Sequence, residues 1–254
     1  MSTTTLLTDH PAWIVRPDGT SCRLAVDGED AVLLTWDGGR LHSLRVGGDD
    51  RQAVAPVETG AGSLPPAAPS ALTAALAQLG SVQRVPSPTL WEAITSGLLR
   101  RIVRDRRARA LYQLWITAYG PAWSTPAGLM HTVPGPRTVL DLTDDAFTRV
   151  AATLQTRKAL PAAAAAYLKH ADTWGRLPGD HLMHALRDVP GLGPWTAARA
   201  AADFTGDHSL YPYSDPLVRT WAAKAAPSVQ LPSSAGGSRP PGAGGPPSAS
   251  SFTP

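Results

Sequence analysis

One cysteine, Cys22, stands in a chain of 254 residues. A lone thiol excludes an intramolecular disulfide and any four-cysteine iron–sulfur or zinc site, so no iron–sulfur cluster is expected. Charged residues are scarce, at 17% against the usual quarter or so. No apolar run reaches the roughly 18 residues that a membrane span requires. The opening MSTTTLLTDH lacks the basic start and apolar core of a signal peptide, and a cytoplasmic location is expected. The seven histidines (10, 42, 131, 170, 181, 184 and 208) show no zinc-protease spacing, and no Walker loop or dinucleotide fingerprint occurs.

What is present is a modest excess of base, +3, compatible with a nucleic-acid partner, and 43% hydrophobic residues, enough for a sizeable core. Residues 12–46 alternate in short runs (WIVR, CRLAV, AVLLTW, LHSLRV) broken by PDGT, DGED and DGGR, the pattern of a small antiparallel sheet of three or four strands. Helices are expected over 70–79, 90–104, 106–119, 141–154, 160–174, 178–188, 194–204 and 215–226, from caps, Gly stops and Ala-rich composition. The fold class expected is mainly α with a small N-terminal antiparallel β-sheet, α+β as a whole. The organisation expected is a β-rich region over 1–66, a helical domain over 67–226 and a Pro/Gly/Ser-rich disordered tail over 227–254.

The most informative segment runs Val189-Pro-Gly-Leu-Gly-Pro-Trp-Thr-Ala197. Two helices flank a turn whose glycines, Gly191 and Gly193, allow a tight reversal and close backbone approach. Pro194 suits a first helical position. The free N–H groups at that helix start would make a phosphate site that grips a DNA backbone without reading sequence, and the segment by itself reads equally as a plain helix–turn–helix connection. Further along comes Tyr211-Pro-Tyr-Ser-Asp215-Pro, with Asp215 twenty residues after Trp195. Asp215 before Pro216 is an ordinary N-cap. The same carboxylate, preorganised at a helix start, is suited to facing a sugar C1′ and stabilising an oxocarbenium-like transition state.

PGLGPWTA followed by YPYSD resembles the helix-hairpin-helix, Gly/Pro-rich DNA glycosylase superfamily, most of all its bacterial 3-methyladenine DNA glycosylase II branch. The resemblance covers roughly residues 85–225. It implies that Asp215 is the catalytic aspartate, and that Gly191, Gly193, Pro194 and Thr196 meet the DNA backbone. Trp195, Tyr211 and Tyr213 would line the base pocket. The carbonyls of Arg187, Val189 and Leu192 would hold a structural Na or K ion, with no other cofactor required. Trp195 stands where bifunctional members carry a Schiff-base lysine, so the implied chemistry is monofunctional hydrolysis that leaves an abasic site. A Trp face suits a cationic N-alkylated purine by stacking and cation–π attraction, once the base is flipped out of double-stranded DNA. Trp195 is equally open to plain core packing at a helix start.

Other features depart from the family or leave choices open. Arg101 replaces a Gln common in relatives and, with Ile102 and Arg104, stands among the expected DNA contacts. Ile102 would be the DNA wedge by position, or simple core. Arg100, Arg104 and Arg107, spaced 4 and 3, read as one helix face that either contacts phosphate or is solvated. Relatives continue with core helices where this chain turns, after Ala226, to Pro, Gly and Ser. A monomer is expected, with no membrane partner. The competing functions are a glycosylase/lyase for oxidised bases and a non-catalytic DNA-binding hairpin.

Overall fold

The computed structural model describes residues 4–48, 55–101, 105–211 and 215–225. Its elements, in chain order, begin with strands β1 (Thr4–Leu6), β2 (Ile14–Val15), β3 (Ser21–Asp27), β4 (Asp30–Trp36), β5 (Leu41–Gly47) and β6 (Val57–Thr59). Helix α1 (Ser70–Leu79) and strand β7 (Ser81–Arg84) follow. Next come helices α2 (Leu90–Arg100) and α3 (Asp105–Tyr119), strands β8 (Ala122–Thr125) and β9 (Gly128–His131), and helices α4 (Pro136–Leu140) and α5 (Asp144–Arg149). The series ends with α6 (Leu154–Trp174), α7 (Gly179–Arg187), α8 (Pro194–Thr205) and α9 (Pro216–Ala225). The fold is mainly helical with small sheets, as the sequence predicts.

The alternating runs over 12–46 form the antiparallel sheet β2-β3-β4-β5. A second sheet, β1-β7-β6, pairs β1 parallel to β7 and β6 antiparallel to it. Residues 81–84 thus bind the first strand of the chain, and the boundary expected at 66/67 falls inside one sheet. Short strands without Asn-Gly or Asp-Gly turns carry no local signal for such long-range pairing.

The main core lies among the helices, with α2 packed on α3, α6 and α8. Its largest buried side chains include Trp115, Tyr112, Phe147, Ile94, Leu98, Leu99, Leu160, Leu182 and Leu186. Helix α2 is buried on every side, as a central helix must be. Thr89 caps its start, accepting the Glu92 N–H at 3.1 Å.

Three helix expectations are corrected. The helix predicted to reach Arg104 ends at Arg100, and Arg101 is already extended (φ −66°, ψ 129°). Arg100 is buried, whereas Arg107 is exposed on α3, so the two arginines do not share one helix face. The helix predicted over 141–154 is replaced by the short pair α4 and α5, the latter capped by Thr143. The helix predicted from Leu160 begins six residues earlier, where the Thr153 side chain accepts the Thr156 N–H at 3.2 Å. Pro161 therefore sits inside α6, not at its first turn. Ile102, Arg104 and Tyr213, together with the tail over 227–254, lie outside the described residues.

Arginines tie the sheets to the helices. Arg23, fully buried, donates to the Val85 carbonyl at 3.0 Å and to Glu92 at 3.1 Å. Arg109 donates to the carbonyls of Trp13 and Thr8, the latter at 2.8 Å.

Candidate active site

The hairpin joins α7 to α8. Val189 and Leu192 point into the core, while Pro190, Gly191 and Pro194 face solvent. The Leu192 N–H closes the turn on the Val189 carbonyl at 3.0 Å. Gly191 has φ +89°, and a Cβ there would stand 2.6 Å from the Ala159 Cβ on α6. Only glycine meets both conditions. Gly193 is an ordinary extended N-cap (φ −69°, ψ 169°), so the two glycines, alike in sequence, differ in what their backbone requires. Pro194 stands at the first position of α8, where its missing N–H costs nothing.

Thr196 is 1% exposed and packs against Gly97 of α2. Its side chain is core, which leaves only its backbone N–H for a phosphate. Arg101, half-buried, is engaged with the turn itself. Its Nη1 donates to the Gly191 carbonyl at 3.0 Å, bracing the turn from behind.

The turn also supplies the oxygens expected to hold a monovalent cation. The Arg187 carbonyl lies in the last turn of α7, where helix carbonyls lack intrahelical partners. The Val189 carbonyl spends one lone pair on Leu192 and keeps a second. Neutral carbonyl oxygens of this kind fit a monovalent ion. Among the described residues no group of three His, Cys, Asp or Glu side chains is placed to hold a metal.

Trp195, one residue into α8, and Asp215, just ahead of α9, meet. The Trp195 indole Nε1 donates to Asp215 Oδ2 at 2.8 Å. Asp215 Oδ1 receives the Val218 N–H at 3.4 Å, and the Asp215 carbonyl takes the Arg219 N–H at 3.0 Å. The carboxylate is therefore both helix cap and indole acceptor, and both its oxygens are oriented. Tyr211 joins them, its ring edge-on to Trp195 with centroids 6.5 Å apart.

A residue the sequence reading passed over completes the cluster. Arg199 follows Trp195 by four positions, one turn along α8, and its guanidinium lies 5.8 Å from the Trp195 ring centroid and 5.4 Å from that of Tyr211. Nη1 donates to the Tyr211 hydroxyl at 2.8 Å, and Nε donates to Asp203 at 3.2 Å. Nη2 stands 3.6 Å from Asp9. Burial works against the charge of Arg199, but Asp203, Tyr211 and Asp9 outweigh it and raise its pKa. The spacing 195, 199, 203 on one helix face was the available signal.

Asp9 also meets Arg84 at 3.2 Å and Arg100 at 3.7 Å. Burial opposes its ionisation, yet Arg84, Arg199 and Arg100 together hold its pKa below the ordinary value. The N-terminal segment is thereby held to β7, α2 and α8.

No protein-family model and no curated protein sequence matches the chain. Solved structures do. MBOgg1, in complex with a low-affinity DNA ligand, superposes with a TM-score of 0.67 at 13% identity over 89% of this chain and 79% of that one. The 8-oxoguanine glycosylase/lyase of Clostridium acetobutylicum, bound to double-stranded DNA, gives 0.67 at 13% over 88% and 79%. The 3-methyladenine DNA glycosylase of Archaeoglobus fulgidus gives 0.62 at 13% over 88% and 80%. The chain has the fold of the helix-hairpin-helix DNA glycosylases. These neighbours include enzymes named for an oxidised and for an alkylated base, so the shared fold leaves the base undecided.

Proposed function

We propose that the chain is a monofunctional DNA glycosylase acting on duplex DNA, one that flips out a damaged base, hydrolyses its N-glycosidic bond and leaves an abasic site. The observation that carries this reading is the Trp195–Asp215 pair at 2.8 Å, set beside a hairpin whose helix start faces solvent. The hairpin N–H groups, led by Trp195 and Thr196, engage phosphate oxygens. The flipped nucleotide places its C1′ against Asp215, whose anion stabilises positive charge developing on the sugar. The Trp195 N–H fixes that carboxylate, and an indole offers no amine for imine formation. A monovalent ion held by the carbonyls of Arg187, Val189 and Leu192 would add positive charge where the hairpin meets phosphate.

The resemblance to the 3-methyladenine DNA glycosylase II branch, together with the stacking face of Trp195, implies an alkylated, 3-methyladenine-like substrate. In the structure a guanidinium already lies against that indole. The test is base release from duplexes that carry single damaged bases, comparing wild type with Asp215→Asn. Release is expected to fall by on the order of a thousandfold, with DNA affinity kept. Equal release by the variant would sink the proposal. A wild type that binds DNA but releases no base would leave only the non-catalytic hairpin.

A further inference from the structure

Trp195, Tyr211 and Arg199 form one corner of the site, and the guanidinium gives that corner its character. It lies against both rings, 5.8 Å and 5.4 Å from their centroids, and it is 5% exposed. It is fixed in place by Asp203 and Tyr211. A base stacked on Trp195 shares the indole with a permanent cation. Were that base itself cationic, two like charges would lie on the order of 9 Å apart across one ring, both drawing on the same quadrupole.

Tyr211 adds direction. Its hydroxyl oxygen accepts from Arg199 Nη1 at 2.8 Å, so its own hydrogen remains to be donated. A phenol that accepts from a guanidinium is a strengthened donor. Such a group asks for an acceptor on the base.

We propose that Arg199, acting through Tyr211, selects an uncharged base with a ring carbonyl, as oxidised and deaminated bases have, over a cationic N-alkylated purine. The proposal rests on the glycosylase reading above. The chemistry agrees in sign. When a neutral base departs, the electron pair of the C1′–N bond goes to the base, and negative charge spreads onto its nitrogen and carbonyl oxygen. The sugar becomes positive. Asp215 faces the positive end and the Tyr211–Arg199 pair the negative end. The water oxygen bonds to C1′, one water proton ends on the base nitrogen, and the other stays on the new sugar hydroxyl. A cationic alkylpurine departs as a neutral molecule, so the donor pair meets no developing anion there and gains far less, even where, as in 7-methylguanine, a ring carbonyl is present. Arg199 is thus a positioning residue, and Tyr211 the group that touches the base.

The experiment measures kcat/KM of the full chain on four duplexes, each with one 8-oxoguanine, hypoxanthine, uracil or 7-methylguanine. At least one of the three neutral bases is expected to exceed 7-methylguanine by about tenfold or more. Tyr211→Phe, which keeps the ring and removes only the hydroxyl, should lower neutral-base release about tenfold more than it lowers release of 7-methylguanine. Arg199→Gln should collapse the ratio and Arg199→Lys should largely restore it. A merely structural role would lower all four substrates together and keep the ratio. Preference for 7-methylguanine in the wild type, or an unchanged ratio in Tyr211→Phe, overturns the inference and leaves the glycosylase intact. Absence of release from every duplex overturns the glycosylase reading, and this inference with it.

Discussion

At the scale of single residues, the hairpin shows how two identical letters carry different physics. Gly191 combines φ +89° with a 2.6 Å approach to the Ala159 Cβ. Gly193 has ordinary angles, and the nearest atom to a Cβ there is Arg101 Nη2 at 3.9 Å. Gly191→Ala is therefore expected to cost about 1–3 kcal/mol of stability, while Gly193→Ala should change it by less than about 0.5 kcal/mol. Calorimetric melts of the two variants check this, and equal melting temperatures would refute it. The sequence made the turn legible, but not which glycine was indispensable, because that depends on Ala159 in another helix. Thr196 teaches the same lesson. It lies within the hairpin motif, yet Gly97 of α2 allows α8 so close that the threonine is sealed in the core. Arg199 was missed because an arginine on an Ala-rich helix reads as a solvated residue until Asp203, Tyr211 and Asp9 surround it.

At the scale of elements, the strongest local signals were legible. Helix α1 spans the predicted 70–79, and α8 begins at the predicted Pro194. The hairpin of β8 and β9 was not foreseen, although PAWSTPAGLMHTV alternates weakly around a turn. Its reason is tertiary. Met130 is buried against Cys22, Leu24, Ala31 and Leu33 of the N-terminal sheet, with Trp123 packed beside them. This hairpin thus joins the helical part to the sheet. Met130→Ala should cost about 2–4 kcal/mol, whereas Leu129→Ala, at a side chain 71% exposed, should cost less than about 0.5 kcal/mol. Denaturant midpoints compare the two, and similar losses would show that the hairpin is not anchored through Met130. Helix α6 follows the same rule. Its Thr153 cap and its packing on α2 and α4 keep Pro161 inside a helix that local propensity would have begun at Leu160.

At the scale of the whole molecule, buried ionisable groups join the N-terminal segment to the helices. His10 is buried, accepts the Ala12 N–H through Nδ1 at 3.2 Å and faces Glu92 at 4.0 Å. Burial, then the charge of Arg23 and other arginines, pushes its pKa well below 6.5. His208 is lowered too, by burial and then by Arg84. Below pH 6.5 the unfolded chain takes up protons that the folded chain refuses. Stability therefore falls as pH drops from 6.5 toward the folded values, by up to ~1.4 kcal/mol per pH unit for each histidine. Glu92 runs the other way. Burial raises its pKa above 4.5 despite Arg23, so its contribution is present below 4.5 and is lost as pH rises through the folded value. Asp9, held below 3.8, stabilises above that value and gives way only in stronger acid. The melting temperature is expected to fall between pH 7 and pH 5, and His10→Asn, which keeps an acceptor for Ala12, should flatten the slope. A slope unchanged in the variant would remove His10 from the account.

The sequence by itself determined the helices with clear caps, the meander of β2 to β5 and the hairpin turn. Each of these rests on spacing within a few residues, where backbone sterics and capping act. Only the tertiary structure decided that β1 pairs with β7, that Thr196 and Arg100 face inward, that Arg101 braces Gly191, and that Arg199 lies against the rings of Trp195 and Tyr211. Those outcomes depend on groups tens of residues apart in the chain, and burial, ion pairing and close approach exist only once such groups are brought into contact.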